Sequence, residues 1–161
     1  MICRLPPSAF DAIQNVVNDA AQAYKGVIPQ DRWKEPYMPA EELQQELASG
    51  VEFYGWKEGD ALIAVMGIQL VNNVTLIRHA YVLTAYQRRG IGEKLLKHLM
   101  SLARTSTVLV GTWEAATWAV RFYEKHGFTL VPNEEKDRLL RKYWNIPERQ
   151  IETSVVLKLK E

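Results

Sequence analysis

The stretch Val74–Leu102, VTLIRHAYVLTAYQRRGIGEKLLKHLMSL, decides the fold. Val74 to Leu83 is apolar and β-rich, which predicts a strand. Gln87-Arg88-Arg89-Gly90-Ile91-Gly92 makes a short turn. From Gly90 to Arg104, Ile91, Leu95, Leu99 and Leu102 recur on one helical face, and Lys94 and Lys97 fall outside it. The first N–H groups of such a helix have no internal partner and carry partial positive charge. Strand, glycine turn and helix N-terminus therefore predict a phosphate site, with Arg88 and Arg89 adding charge at its edge. Gly90 and Gly92 let backbone approach a ligand, although a bare GxG can also serve packing alone.

The segments before this stretch exclude two common phosphate folds. Val51 to Trp56 and Ala61 to Val71 read as strands joined by the turn Lys57-Glu58-Gly59-Asp60. Asn72-Asn73 makes a second tight turn. Three antiparallel strands thus lead into the glycine turn, where a dinucleotide fold would bring a parallel βαβ unit. The third glycine of that fingerprint is absent, since position 95 is Leu95, and there is no G-x-x-x-x-G-K-[ST] loop.

Further out, Ile2 to Leu5 predicts a short first strand, ended by Pro6-Pro7. Ser8 with Asp11 resembles a capping box ahead of a helix through Phe10, Ile13, Val16, Val17, Ala20 and Tyr24, closed by Gly26. Gly26 to Pro39 is an irregular, aromatic-rich loop, and Ala40 to Ser49 a second helix with Leu43 and Leu47 inward. On the other side come a strand at Thr107–Trp113, a helix from Ala115 to His126, and a short strand at Phe128–Val131. A helix from Glu134 to Trp144 follows. Ile151 to Leu159 alternates and predicts a last strand.

Composition suits one domain over residues 1–161: 47% hydrophobic, 24% charged, net charge +1. That balance gives no bulk attraction to nucleic acid or membrane. No run approaches the ~18 apolar residues of a membrane span, and the first residues lack a signal-peptide core, so a cytoplasmic protein is expected. One cysteine, Cys3, excludes an internal disulfide framework and a cysteine-based metal cluster, and no metal is expected.

Two motifs now resemble one family. Gln87-Arg88-Arg89-Gly90-Ile91-Gly92 fits the [QR]-x-x-G-x-[GA] signature of the GNAT superfamily of acyl-CoA N-acyltransferases. Ala119-Val120-Arg121-Phe122-Tyr123-Glu124-Lys125-His126-Gly127-Phe128 resembles that family's A-x-x-[FL]-Y-E-K-x-G-F segment, in the same order and at the usual distance. The resemblance covers Val51 to Val131 well and the flanks more loosely. It implies an α/β (α+β) fold: a mixed, mostly antiparallel sheet of six to seven strands, with helices on both faces. That sheet would splay open between the strands ending near Leu83 and Trp113.

The same resemblance implies acetyl-CoA as co-substrate. Ala80, Tyr81 and Val82 would run beside its pantetheine arm. Gln87, Arg88, Arg89, Gly90, Ile91, Gly92 and Glu93 would hold its pyrophosphate. Tyr123 would protonate the departing thiolate, since a phenol with a pKa near ~10 still carries its proton at neutral pH. Amine acylation also needs a base. His79, which interrupts the apolar strand, is the first candidate, ahead of Glu114 and Glu52. Two departures stand out. Ala116 occupies the position where many relatives carry an asparagine, which leaves Thr112 or Thr117 to supply that contact if it is made. Gly111 occupies the place of a glutamate that some relatives use as base.

The acceptor would enter opposite CoA. Trp33, Tyr37, Trp113 and Glu114 are its candidate contacts, and Tyr54, Tyr143 and Trp144 further candidate walls. If these aromatics converge, the acceptor has an apolar or cationic part. Glu35, Glu41 and Glu148 are candidate counter-charges for an amine. The expected function is N-acetyl transfer from acetyl-CoA to a primary amine in a ternary complex, a small molecule ahead of a protein, by a monomer or a homodimer. An acyl-CoA-binding sensor with little chemistry is the principal alternative, and a nucleotide-binding regulator a third.

Overall fold

A computed structural model describes residues 1–160. Seven strands form a single sheet in the order β1-β2-β3-β4-β5-β7-β6. They are β1 (Ile2–Arg4), β2 (Glu52–Glu58), β3 (Ala61–Val71), β4 (Val74–Val82), β5 (Thr107–Trp113), β6 (Phe128–Leu130) and β7 (Ser154–Leu159). Every neighbouring pair is antiparallel except β4 with β5. That parallel pair is joined through α3 (Ile91–Leu102), the crossover that parallel strands require.

The β4–β5 pairing is short. It runs from Val74 opposite Thr107 to Ile77 opposite Val110, and stops. Beyond it β4 stays with β3 as far as Val82, and β5 stays with β7 as far as Trp113. The sheet therefore opens between Arg78–Val82 and Gly111–Trp113. Each strand keeps its outer partner, so the opening leaves one edge of each unpaired and facing the gap.

Alternation along the strands feeds two apolar layers. On one face α3 and α4 (Thr117–Lys125) cover Ile63, Met66, Ile77, Val108, Val110 and Leu157. On the other, α1 (Phe10–Ala20) and α2 (Ala40–Ala48) cover Val51, Phe53 and Val65. There α5 (Asn133–Tyr143) and α6 (Glu148–Glu152) cover Leu76, Leu109 and Val156. No helix among the described residues is long and apolar enough to cross a membrane.

Three local expectations are corrected. Ser8 caps nothing: Pro7–Ala9 is a 3-10 turn, and α1 starts at Phe10 without a side-chain cap. That helix is α-helical only to Ala20, then tightens into a 3-10 turn at Ala21–Tyr24. Ile151 and Glu152, expected in the last strand, belong to α6. Pro147 starts that helix, the Thr153 hydroxyl donates to the carbonyl of Arg149 at 2.9 Å, and Ile151 is buried under α5. An apolar residue three positions before a strand satisfies alternation and a helical face equally well.

Candidate active site

Strand β4 is irregular where it borders the opening. Tyr81 pairs with Val65 and Arg78 with Gly67, so His79 and Ala80 together oppose Met66 alone. This is a β-bulge, and His79 adopts φ +55° within it. Gly67 makes room for it, because a Cβ there would lie 3.1 Å from the Arg78 carbonyl oxygen and 2.9 Å from Val51. In a regular strand Arg78 and His79 would point to opposite faces. Here both reach Glu46, on the inner side of α2. Arg78 Nη1 lies 2.9 Å from Glu46 Oε2 and Nη2 donates to Oε1 at 3.1 Å. His79 Nε2 lies 3.4 Å from the same Oε1, an ion-pair distance without the alignment of a hydrogen bond. Phe53 stacks on the imidazole at 5.8 Å. Burial pushes the Glu46 carboxyl up, but His79 and Arg78 together hold it below its ordinary value.

Past β4, the chain passes through a 3-10 turn at Thr84–Tyr86 into α3. Arg88 and Gly90 both have positive φ, +66° and +76°. Gly90 is the N-cap and offers no side-chain cap, and the first hydrogen bond of the helix runs from Lys94 N–H to the Gly90 carbonyl. The N–H groups of Ile91, Gly92 and Glu93 are thus left for a ligand.

Two cavities meet at the opening. The larger, about 750 Å³, runs between the Val82–Glu93 segment and α4. Gln87, Arg88, Gly90, Gly92 and Glu93 line one wall, and Trp118, Phe122, Lys125 and His126 the other. The smaller, about 110 Å³, lies between β4, β5, α5 and the loop after α5, and contains Arg78, His79, Tyr37, Trp113 and Trp144. Tyr24, Ala80, Tyr81, Ala119 and Tyr123 line both. They form the partition.

Tyr123 is the only residue of α4 buried in the core, 5% exposed. Phe122 and Phe128 meet its ring edge-on at 5.2 and 5.7 Å. Burial alone pushes its phenol well above the ordinary range. Burial likewise raises Tyr24, to about 12, and raises Tyr37 and Tyr81. The partition thus presents neutral phenols at any physiological pH.

The structure separates the sequence candidates. His79, Ala80, Tyr81, Val82, Gln87, Arg88, Gly90, Gly92, Glu93, Tyr123, Tyr37 and Trp113 line one cavity or both. Arg89 does not: its guanidinium lies over the Tyr86 ring, 5.1 Å from the centroid. Ile91 turns into the core, 5% exposed, so only its backbone faces the turn. The Glu93 carboxylate pairs with Lys97 at 3.0 Å. Trp33 stacks on Tyr37 at 6.0 Å, behind the cavity. Glu114 is exposed, and its N–H donates to the Thr153 carbonyl at 2.9 Å. Tyr54 packs against His98 on the α3 side and Glu52 pairs with Arg4, both away from the opening. Ala116 is fully buried beside Trp113 and Tyr24. Thr112 lines the smaller cavity, whereas Thr117 is exposed and lines neither.

Sequence reasoning passed over Glu46, Arg78 and Trp118. Glu46 stands three residues after inward-facing Leu43, a spacing that turns it inward as well. Trp118 is 45% exposed, yet stacks on Tyr24 at 6.1 Å and walls the larger cavity.

A sequence model described as an acetyltransferase (GNAT) domain matches residues 16–141. The chain belongs to the GNAT acetyltransferase family. It is therefore an acyltransferase, and its split sheet is the fold of that family. The PaiA N-acetyltransferase from Thermoplasma acidophilum in complex with coenzyme A superposes with a TM-score of 0.74 at 16% identity, over 100% of this chain and 98% of the other. A GNAT acetyltransferase from Elizabethkingia anophelis with acetyl-CoA bound gives 0.66 at 22%, over 100% and 97%. The ribosomal-protein-S18-alanine N-acetyltransferase from Escherichia coli gives 0.68 at 16%, over 99% and 92%. No curated protein matches this GNAT chain by sequence.

Proposed function

We propose that this GNAT protein transfers an acetyl group from acetyl-CoA directly to a primary amine, with both substrates bound. The observation that carries this reading is the place of Tyr123, whose buried phenol stands in the wall common to the two cavities. A thioester lying along the larger cavity would reach that wall from one side, and an amine would meet it from the other.

In this reading the N–H groups of Ile91, Gly92 and Glu93 hold the pyrophosphate, with Arg88 and Lys125 supplying charge. Glu93 contributes through its backbone, since its carboxylate is paired with Lys97 and would repel phosphate. The amine lone pair forms a C–N bond to the acetyl carbon, and the C–S bond breaks with its electron pair on sulfur. The surplus proton on nitrogen passes to His79, which hands it on to solvent. The thiolate takes a proton from Tyr123, which regains one from solvent, so amine plus acetyl-CoA gives amide plus CoA thiol. A thiolate is a weaker base than a phenolate, with conjugate-acid pKa values near ~8.5 and ~10. Tyr123 therefore acts chiefly as a hydrogen-bond donor while charge grows on sulfur, and releases its proton late. Glu46 acts through His79: its carboxylate stands 3.4 Å from Nε2 and places negative charge beside the ring that receives the proton.

The test is thiol release from acetyl-CoA across a panel of amines. Amine-dependent release, matched by acetylated product in mass spectrometry, is expected. Tight CoA binding with no release for any amine would replace the enzyme reading with that of an acyl-CoA sensor.

A further inference from the structure

The smaller cavity differs from the larger one in charge as well as size. No aspartate or glutamate lines it. Its one permanent cation, Arg78, is matched by Glu46 at 2.9 Å and gives another hydrogen bond to Gln69 at 3.0 Å. An amine carrying a second ammonium finds no partner there, and Arg78 has little of its fork left for a free carboxylate. The absence of a wall carboxylate also favours the neutral form of a bound amine, the form that can attack.

What the cavity does offer is aromatic surface. Tyr37 is held in place from two sides: the indole N–H of Trp113 donates to its hydroxyl at 2.8 Å, and Asn18 bonds both backbone groups of the next residue, Met38, at 2.7 and 3.2 Å. Trp144 closes the opposite side. A Cβ at Gly111 would come within 3.3 and 3.4 Å of its ring carbons, so the indole rests on the bare backbone of β5. Glycine at 111 and tryptophan at 144 are one device, in which the missing side chain of one makes room for the other. The remaining space, about 110 Å³, is smaller than an apolar cavity of about 150 Å³ that accepts a single benzene, so it takes no more than one ring, and Arg78, His79, Thr112, Gln150 and Ser154 add polar groups to its wall.

We infer that the acceptor is a small primary amine carried on one aromatic ring, without a second charge, and that Trp144 seated on Gly111 sets its size limit. The inference rests on the acetyl-transfer reading above. A polyamine or a peptide N-terminus would have to leave its further charges or flanking chain unpartnered.

The experiment compares initial rates at saturating acetyl-CoA for benzylamine, 1-naphthylmethylamine, spermidine and a peptide with a free N-terminal alanine. Benzylamine should exceed spermidine and the peptide by about tenfold or more in kcat/KM. Trp144→Ala should raise the naphthylmethylamine-to-benzylamine ratio about fivefold or more, with CoA affinity unchanged by calorimetry. Gly111→Ala is the second variant: its added methyl displaces the indole and should raise the KM for benzylamine at unchanged CoA affinity. A preference for spermidine or the peptide, or a size ratio that neither substitution moves, would overturn the inference while leaving acetyl transfer intact. Absence of turnover with all four amines and with the wider panel, despite CoA binding, would remove the acetyl-transfer reading and this inference with it.

Discussion

The two cavities that meet at Tyr123 are built by different means. One wall of the larger is made from consecutive chain: the end of β4, the turn at Gln87–Gly92 and the first turn of α3, with α4 opposite. That wall offers the backbone N–H groups at the start of α3. The smaller gathers side chains from remote places: Arg78 and His79 of β4, Tyr37 of an early loop and Trp144 after α5, with Glu46 of α2 outside the wall and paired to Arg78. A backbone site depends on local dihedrals and tolerates side-chain change. A side-chain site depends on long-range contacts and can be retuned one residue at a time. The difference predicts that substitutions on the two sides separate into effects on CoA and effects on the amine.

The largest break expected in that comparison is Glu46→Ala. It leaves the Arg78 guanidinium buried and unpaired, and should cost about 3 kcal/mol in chemical denaturation. Glu46→Gln should cost less and isolate the charge. Because the Glu46 carboxyl is held below its ordinary value in the folded protein, the stability it adds is present above the ordinary glutamate range. That contribution is lost as pH falls through the lowered folded value. The acid limb of the stability curve should therefore flatten in Glu46→Gln, and CoA affinity at neutral pH should hold.

Next in size is Gly90→Val on the cofactor side. A β-branched residue at φ +76° strains the N-cap, and CoA affinity should fall about tenfold or more by calorimetry. The KM for the amine at saturating CoA should not move. Trp118→Ala should weaken CoA by about fivefold through loss of one aromatic wall, again with the amine KM unchanged. The smallest effect belongs to Arg149→Ala. Arg149 and Asp31 form an exposed bidentate pair, at 2.8 and 3.2 Å, that ties α6 to the 3-10 turn at Gln30–Arg32. Its loss should lower the denaturation midpoint only slightly, and the effect should vanish at high salt.

How much of this was legible in the sequence follows the same division. The strand, turn and helix around Gly90 could be read because each signal is local: periodicity, glycine spacing, neighbouring charge. The splay followed from a family resemblance carried by the same segments. The bulge at His79 could not be read, because a bulge is a property of two strands in register. Glu46 was hidden by its type, since a glutamate on an amphipathic helix ordinarily faces solvent. Trp144 and Gly111 are 33 positions apart and betray nothing of their contact. Tyr123 is legible as a candidate because its motif is contiguous, yet its place in the partition depends on where β4 and β5 part.

The most direct test of the two-sided site is Tyr123→Phe, read twice: turnover of the best amine, and CoA affinity by calorimetry. The substitution keeps the ring in its packing with Phe122 and Phe128 and removes only the hydroxyl. Turnover should fall about a hundredfold with CoA affinity within about twofold of wild type. Unchanged turnover, or a loss explained wholly by weaker CoA binding, would contradict the placement of the phenol at the reacting thioester.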